Sequence, residues 1–103
     1  MAKVELTADA QAGIDEAINY ITLTLGSERA GADLTKAFKE FIGNVSEFPR
    51  MYSPALDETL KDVGFRCASV KSYVAIYRYD ENLDKVTIYG FFHHSQNYAK
   101  LLI

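Results

Sequence analysis

Six side chains in the last third of this 103-residue chain carry groups capable of acid–base or anion chemistry: Arg66, Lys71, Arg78, His93, His94 and Tyr98. Guanidinium and ammonium groups hold phosphate or carboxylate, and an unperturbed imidazole with a pKa of about 6.5 exchanges protons around neutrality. A tyrosine beside them stacks on a planar base or donates a proton. His93 and His94 are adjacent, so on a continuing strand they face opposite ways and at most one serves any given site. No Asp, Glu or Cys ligand set accompanies them, so neither a metal nor a cofactor is expected. Each residue also has a plainer role. Arg66 suits a surface ion pair, Lys71 a solvent-facing position, Arg78 a structural contact, and Tyr98 an anchor for the C-terminal tail.

These residues need elements to position them, and the pattern of apolar residues supplies those elements. Lys3-Val4-Glu5-Leu6 alternates as a short strand with one wet face. Thr7 or Asp9 offers an N-cap, and Ile14, Ile18, Ile21 and Leu25 then form one helical stripe closed by Gly26-Ser27. A second stripe, Leu34, Phe38, Phe41 and Val45, predicts a helix from about Glu28 to Ser46, ended by Phe48-Pro49. The short link between the two helices makes them an antiparallel hairpin.

Residues 49–64 read as a loop with one helical turn around Asp57–Asp62. A strand opens at Phe65, and β-branched and aromatic residues then fill Val70–Tyr79 and Val86–Phe92, with the polar link Asp80–Asp84 between them. Tyr73, Ala75, Tyr77 and Tyr79 share one face and Val74, Ile76 and Arg78 the other, so this strand is expected at the centre of the sheet. The expectation is one α+β domain spanning 1–103: an N-terminal strand, a helix hairpin, then a three-stranded antiparallel meander completing a four-stranded sheet, with helices segregated on one face.

Composition bounds the function. The chain is 49% apolar, with seven Tyr and six Phe, and each large aromatic buries roughly 150–250 Å². Eleven Lys and Arg stand against fourteen Asp and Glu, for a net charge of −3. That argues against free nucleic acid as the main partner, although Lys61, Arg66, Lys71 and Arg78 concentrate positive charge in one stretch. Cys67 is alone, cannot form an intrachain disulfide, and reads as a small buried hydrophobe. No apolar run approaches the roughly 18 residues of a membrane span. The start lacks a secretory pattern, so a cytoplasmic location is expected.

The order of elements and several motifs resemble the RelE/ParE superfamily of toxins from bacterial type II toxin–antitoxin systems. The resemblance rests on Glu47-Phe48-Pro49, Gly64-Phe65-Arg66, the run from Val70 to Glu81 with its Tyr-x-x-x-Tyr-Arg core, Val86-Thr87-Ile88, and the terminal Asn97-Tyr98-Ala99-Lys100-Leu101-Leu102. It implies a plasmid-stabilisation-like toxin held by a cognate antitoxin, with an apolar groove along the helix hairpin or a sheet edge. Such a groove also suits a homodimer.

Two activities follow from the resemblance. One branch cuts mRNA on the ribosome as a metal-independent endoribonuclease, by 2′-hydroxyl attack on phosphate. The other poisons DNA gyrase without catalysis, and a degenerate, non-toxic member is a third reading. For the nuclease, the expected catalytic set is Arg66 for phosphate charge, His94 for proton transfer and Tyr98 for stacking or acid. Lys71, Arg78 and His93 are then substrate-binding. The chain departs from the nuclease pattern where Val74 replaces a phosphate-contacting arginine. It departs again where His94-Ser95-Gln96-Asn97 replaces fixed positive charge.

Overall fold

In the computed structural model, which describes residues 1–102, the chain runs β1 (Lys3–Leu6), α1 (Ala8–Asn19), a π-helical turn (Tyr20–Thr24) and α2 (Glu28–Glu47). It continues with α3 (Glu58–Val63), β2 (Arg66–Val70), β3 (Tyr73–Asp80), β4 (Lys85–His93) and α4 (Tyr98–Leu102). The sheet order is β1-β4-β3-β2. Strands β2, β3 and β4 form the expected antiparallel meander, and β1 joins β4 in parallel, so the sheet is mixed.

Local chemistry sets the boundaries. The Thr7 hydroxyl accepts the Ala10 N–H at 3.1 Å and donates to the Tyr89 carbonyl at 3.2 Å, so one side chain caps α1 and fastens it to β4. Ser27 caps α2 through the Ala30 N–H, and Asp57 caps α3 through the Leu60 N–H. Gly64 ends α3 at φ +97°, a left-handed backbone that favours glycine.

The α1–α2 hairpin packs on one face of the sheet. Ile14, Leu34, Phe41 and Val45 from the helices meet Ala75, Tyr77, Val86, Ile88 and Phe91 from the strands. Burying each of the larger aliphatic and Phe side chains among them stabilises the fold by about 1.5–3 kcal/mol before entropy is counted. As the alternation in Tyr73–Tyr79 predicts, β3 lies between β2 and β4 and is buried on both faces from Tyr73 to Tyr77.

Two expectations are corrected. Helices are not confined to one face: α3 and α4 cover the second, where Leu60, Phe65, Val74 and Ile76 pack with Phe92, Tyr98 and Leu102. The reason is the apolar second row of β3, which needs a cover of its own. In addition, Leu25 is 60% exposed, although it continues the α1 stripe. The chain widens there into the π-helical turn, which shifts Leu25 off the α-helical stripe and leaves it on the rim of a hollow rather than in the core.

A bulge marks β4. Ile76 pairs with Gly90 but Tyr77 pairs with Ile88, so Tyr89 is the extra residue. The bulge keeps Ile88 and Phe91, three positions apart, on the same helix-covered face.

Candidate functional site

The six candidate residues fall into three separate places. Arg66 sits at the start of β2 opposite Tyr77, on the sheet face that α2 covers, because Ala68 and Val70 alternate with it into that core. Its guanidinium donates to the Tyr52 carbonyl at 2.7 Å and to the Arg50 carbonyl at 3.5 Å. Both acceptors are main-chain oxygens of the segment between α2 and α3. Beside it the Tyr77 hydroxyl donates to the Pro49 carbonyl at 2.8 Å. Asn44 donates to the Tyr52 hydroxyl at 3.2 Å. Residues 49–52 of that segment are thereby fixed to α2 and the sheet. Two cues in the sequence, the helix-ending Phe48-Pro49 and the aromatic at Tyr52, mark this place, but neither foretells that Arg66 binds carbonyls.

His94 and Tyr98 are close in space as well as in sequence, and line one shallow depression together with Asp57, Ser95 and Gln96. Tyr98 stacks on Phe92, with ring centroids 6.2 Å apart and planes 21° apart, and belongs to the second core. Burial pushes its phenol up from the ordinary tyrosine value. His94 is exposed, and its backbone N–H bonds the Ser72 carbonyl at 3.1 Å. The sheet therefore stands between Arg66 and the His94–Tyr98 pair.

Lys71 and His93 meet at the end of the sheet nearest the helix-hairpin tip. Lys71 lies in the β2–β3 turn at φ +57°, a left-handed conformation uncommon for a non-glycine residue. His93 ends β4 against Tyr73, ring edge to ring face at 5.3 Å. Its Nδ1 accepts the Ser95 N–H at 3.1 Å and lies 2.8 Å from the Ser95 hydroxyl, so the neutral ring carries its proton on Nε2. Lys71, Tyr73 and His93 line a hollow whose other wall is Ile21, Leu25 and Leu34 of the helix hairpin.

Arg78 is exposed on the second face, 5.7 Å over the Phe65 ring. It borders a polar depression with Asp80, Glu81 and Lys85, where acids offset the bases. Cys67 is half-buried, and desolvation pushes its thiol up, away from the reactive thiolate. Among the described residues no group of three His, Cys, Asp or Glu side chains converges as metal ligands, and no helix is long and apolar enough to cross a membrane.

The fold and motifs have counterparts. A model of the ParE toxin of the type II toxin–antitoxin system parDE matches residues 4–98, and the chain belongs to that family. It is thus a type II toxin of the RelE/ParE superfamily. Its fold is similar to a chain of the chromosomal ParDE system from P. aeruginosa, with TM-score 0.69 and 14% identity over 90% of this chain and 96% of that one. It is also similar to a chain of the RelBE2 toxin–antitoxin complex from Mycobacterium tuberculosis, with TM-score 0.65 and 23% identity over 92% and 93%. No curated protein matches the sequence closely enough to add to these.

Proposed function

We propose that this toxin is held inactive by a cognate antitoxin and, once free, arrests growth by binding a protein target, DNA gyrase, rather than by cutting RNA. The antitoxin is supported by the fold neighbours, both of which come from toxin–antitoxin systems. One observation carries the choice of mechanism. Arg66, His94 and Tyr98 do not converge, because Arg66 donates to the carbonyls of Tyr52 and Arg50 on one face of the sheet while Tyr98 packs in the core on the other. Phosphoryl transfer through a 2′-hydroxyl needs base, cation and acid around one phosphorus, within hydrogen-bond reach of the reacting oxygens. Val74 adds to this reading: it is 3% exposed in the second core, so its position offers no surface cation.

The nuclease reading keeps one observation in its favour, the shared depression of His94 and Tyr98 with Asp57. Inducing the chain without antitoxin separates the readings. The expected result is growth arrest with a DNA-damage response and intact mRNA. Codon-spaced cuts in translated mRNA, found by primer extension, would establish the nuclease instead. Unimpeded growth would leave the degenerate reading.

A further inference from the structure

The helix-hairpin tip carries a cluster of exposed apolar side chains. Within six residues, Tyr20 is 50% exposed, Leu23 76% and Leu25 60%. They belong to the π-helical turn and its C-terminal cap, where Leu25 donates its N–H to the Tyr20 carbonyl five residues back. Widened turns of this kind recur at functional sites. Leu25 rims the hollow floored by Ile21, Leu34 and Tyr73, so a projecting apolar side chain and an apolar recess lie side by side.

Two charges of opposite sign flank that recess: Asp33 from α2 and Lys71 from the β2–β3 turn. Both are exposed, and neither joins an ion pair within the chain among the described residues. A surface meant for a strongly basic or strongly acidic partner would carry one sign. A two-fold contact instead sets a patch against itself, so it needs a knob with a hole and a cation with an anion on the same patch. This patch has all four.

We infer that the free toxin pairs with a second copy of itself through this tip. Leu25 of each protomer enters the other's recess, and Asp33 of each faces Lys71 of the other. The inference does not depend on the target of the toxin. Three side chains and one recess make a small interface, well below the roughly 800 Å² per partner of a stable dimer. The pairing is therefore weak and concentration-dependent.

Sedimentation equilibrium of the purified chain, from about 1 µM to 1 mM, reads the association constant. Leu25→Glu is expected to weaken it at least tenfold, and circular dichroism checks that this exposed substitution leaves the fold intact. Asp33→Lys and Lys71→Asp should each weaken it severalfold, and the double swap should return it to within about threefold of the parent. Asp tolerates the left-handed backbone at position 71 better than most residues, so the swap does not strain the turn. A chain that stays monomeric at 1 mM overturns the inference. So does a dimer that persists in Leu25→Glu, or a double swap that is no better than the single changes.

Discussion

The Tyr77 hydroxyl donates to the Pro49 carbonyl at 2.8 Å, from a ring that is fully buried between β3 and α2. This bond ties the centre of the sheet to the segment that leaves α2. Tyr77→Phe keeps the packing and leaves that carbonyl without its donor. The expected loss is about 1–2 kcal/mol of unfolding free energy, read from urea denaturation.

The same ring gives a pH signature. Desolvation, only partly opposed by the Arg66 guanidinium, pushes the phenol up to about 12. In the unfolded chain tyrosine titrates at about 10, so as pH rises the unfolded state loses its proton first. Stability from this group is complete below that value and declines up to about 12, by at most about 1.4 kcal/mol per pH unit. Urea midpoints taken from pH 8 to 11.5 should fall less steeply in Tyr77→Phe than in the parent chain.

Gly13 of α1 lies so close to β4 that an added Cβ would be 2.6 Å from the Phe91 carbonyl oxygen. Helix propensity alone favours Ala over Gly by about 1 kcal/mol. The obstacle is backbone, which cannot swing aside, so crowding outweighs propensity. Gly13→Ala should lower stability by about 1–3 kcal/mol in thermal or urea unfolding.

Tyr98 distinguishes an anchor from a proton donor. Its ring stacks on Phe92 in the second core, and Phe preserves that contact. Tyr98→Phe should keep both stability and growth arrest, whereas Tyr98→Ala should cost about 1–3 kcal/mol and free α4 from the sheet. Loss of growth arrest in a stable Tyr98→Phe chain would instead assign the hydroxyl a chemical role.

Arg66 is expected to act on stability. Arg66→Ala removes donors from the carbonyls of Tyr52 and Arg50 and should destabilise the chain by about 1–2 kcal/mol. Faster hydrogen exchange in residues 49–55 would accompany the loss. Growth arrest at a temperature where the variant is folded should survive; its complete loss in a folded variant would place Arg66 in the site.

Much of this architecture is legible in the chain because local and tertiary signals agree. The stripe Leu34, Phe38, Phe41, Val45 gives α2 from Glu28 to Glu47, one residue beyond the expected end. The double row of apolar residues in Tyr73–Tyr79 places β3 at the sheet's centre. Asp57 marks the start of α3 within the loop. Three features follow from the assembled fold and have no short-range signal. Leu25 keeps helical spacing yet is exposed, because the π-helical turn before it breaks the α-helical phase. The tail Tyr98–Leu102 is too short to show helical periodicity, and its helix depends on the apolar second face. The guanidinium of Arg66 finds carbonyls 14 and 16 residues away, which no spacing rule anticipates.

The most direct test of a toxin that acts by protein contact uses purified chain, gyrase, ATP and supercoiled plasmid. Linear plasmid released after protein denaturation, rising with chain concentration and suppressed by the cognate antitoxin, is the predicted result. Gyrase that is unaffected, beside ribosome-bound mRNA that the same preparation cleaves, would contradict it.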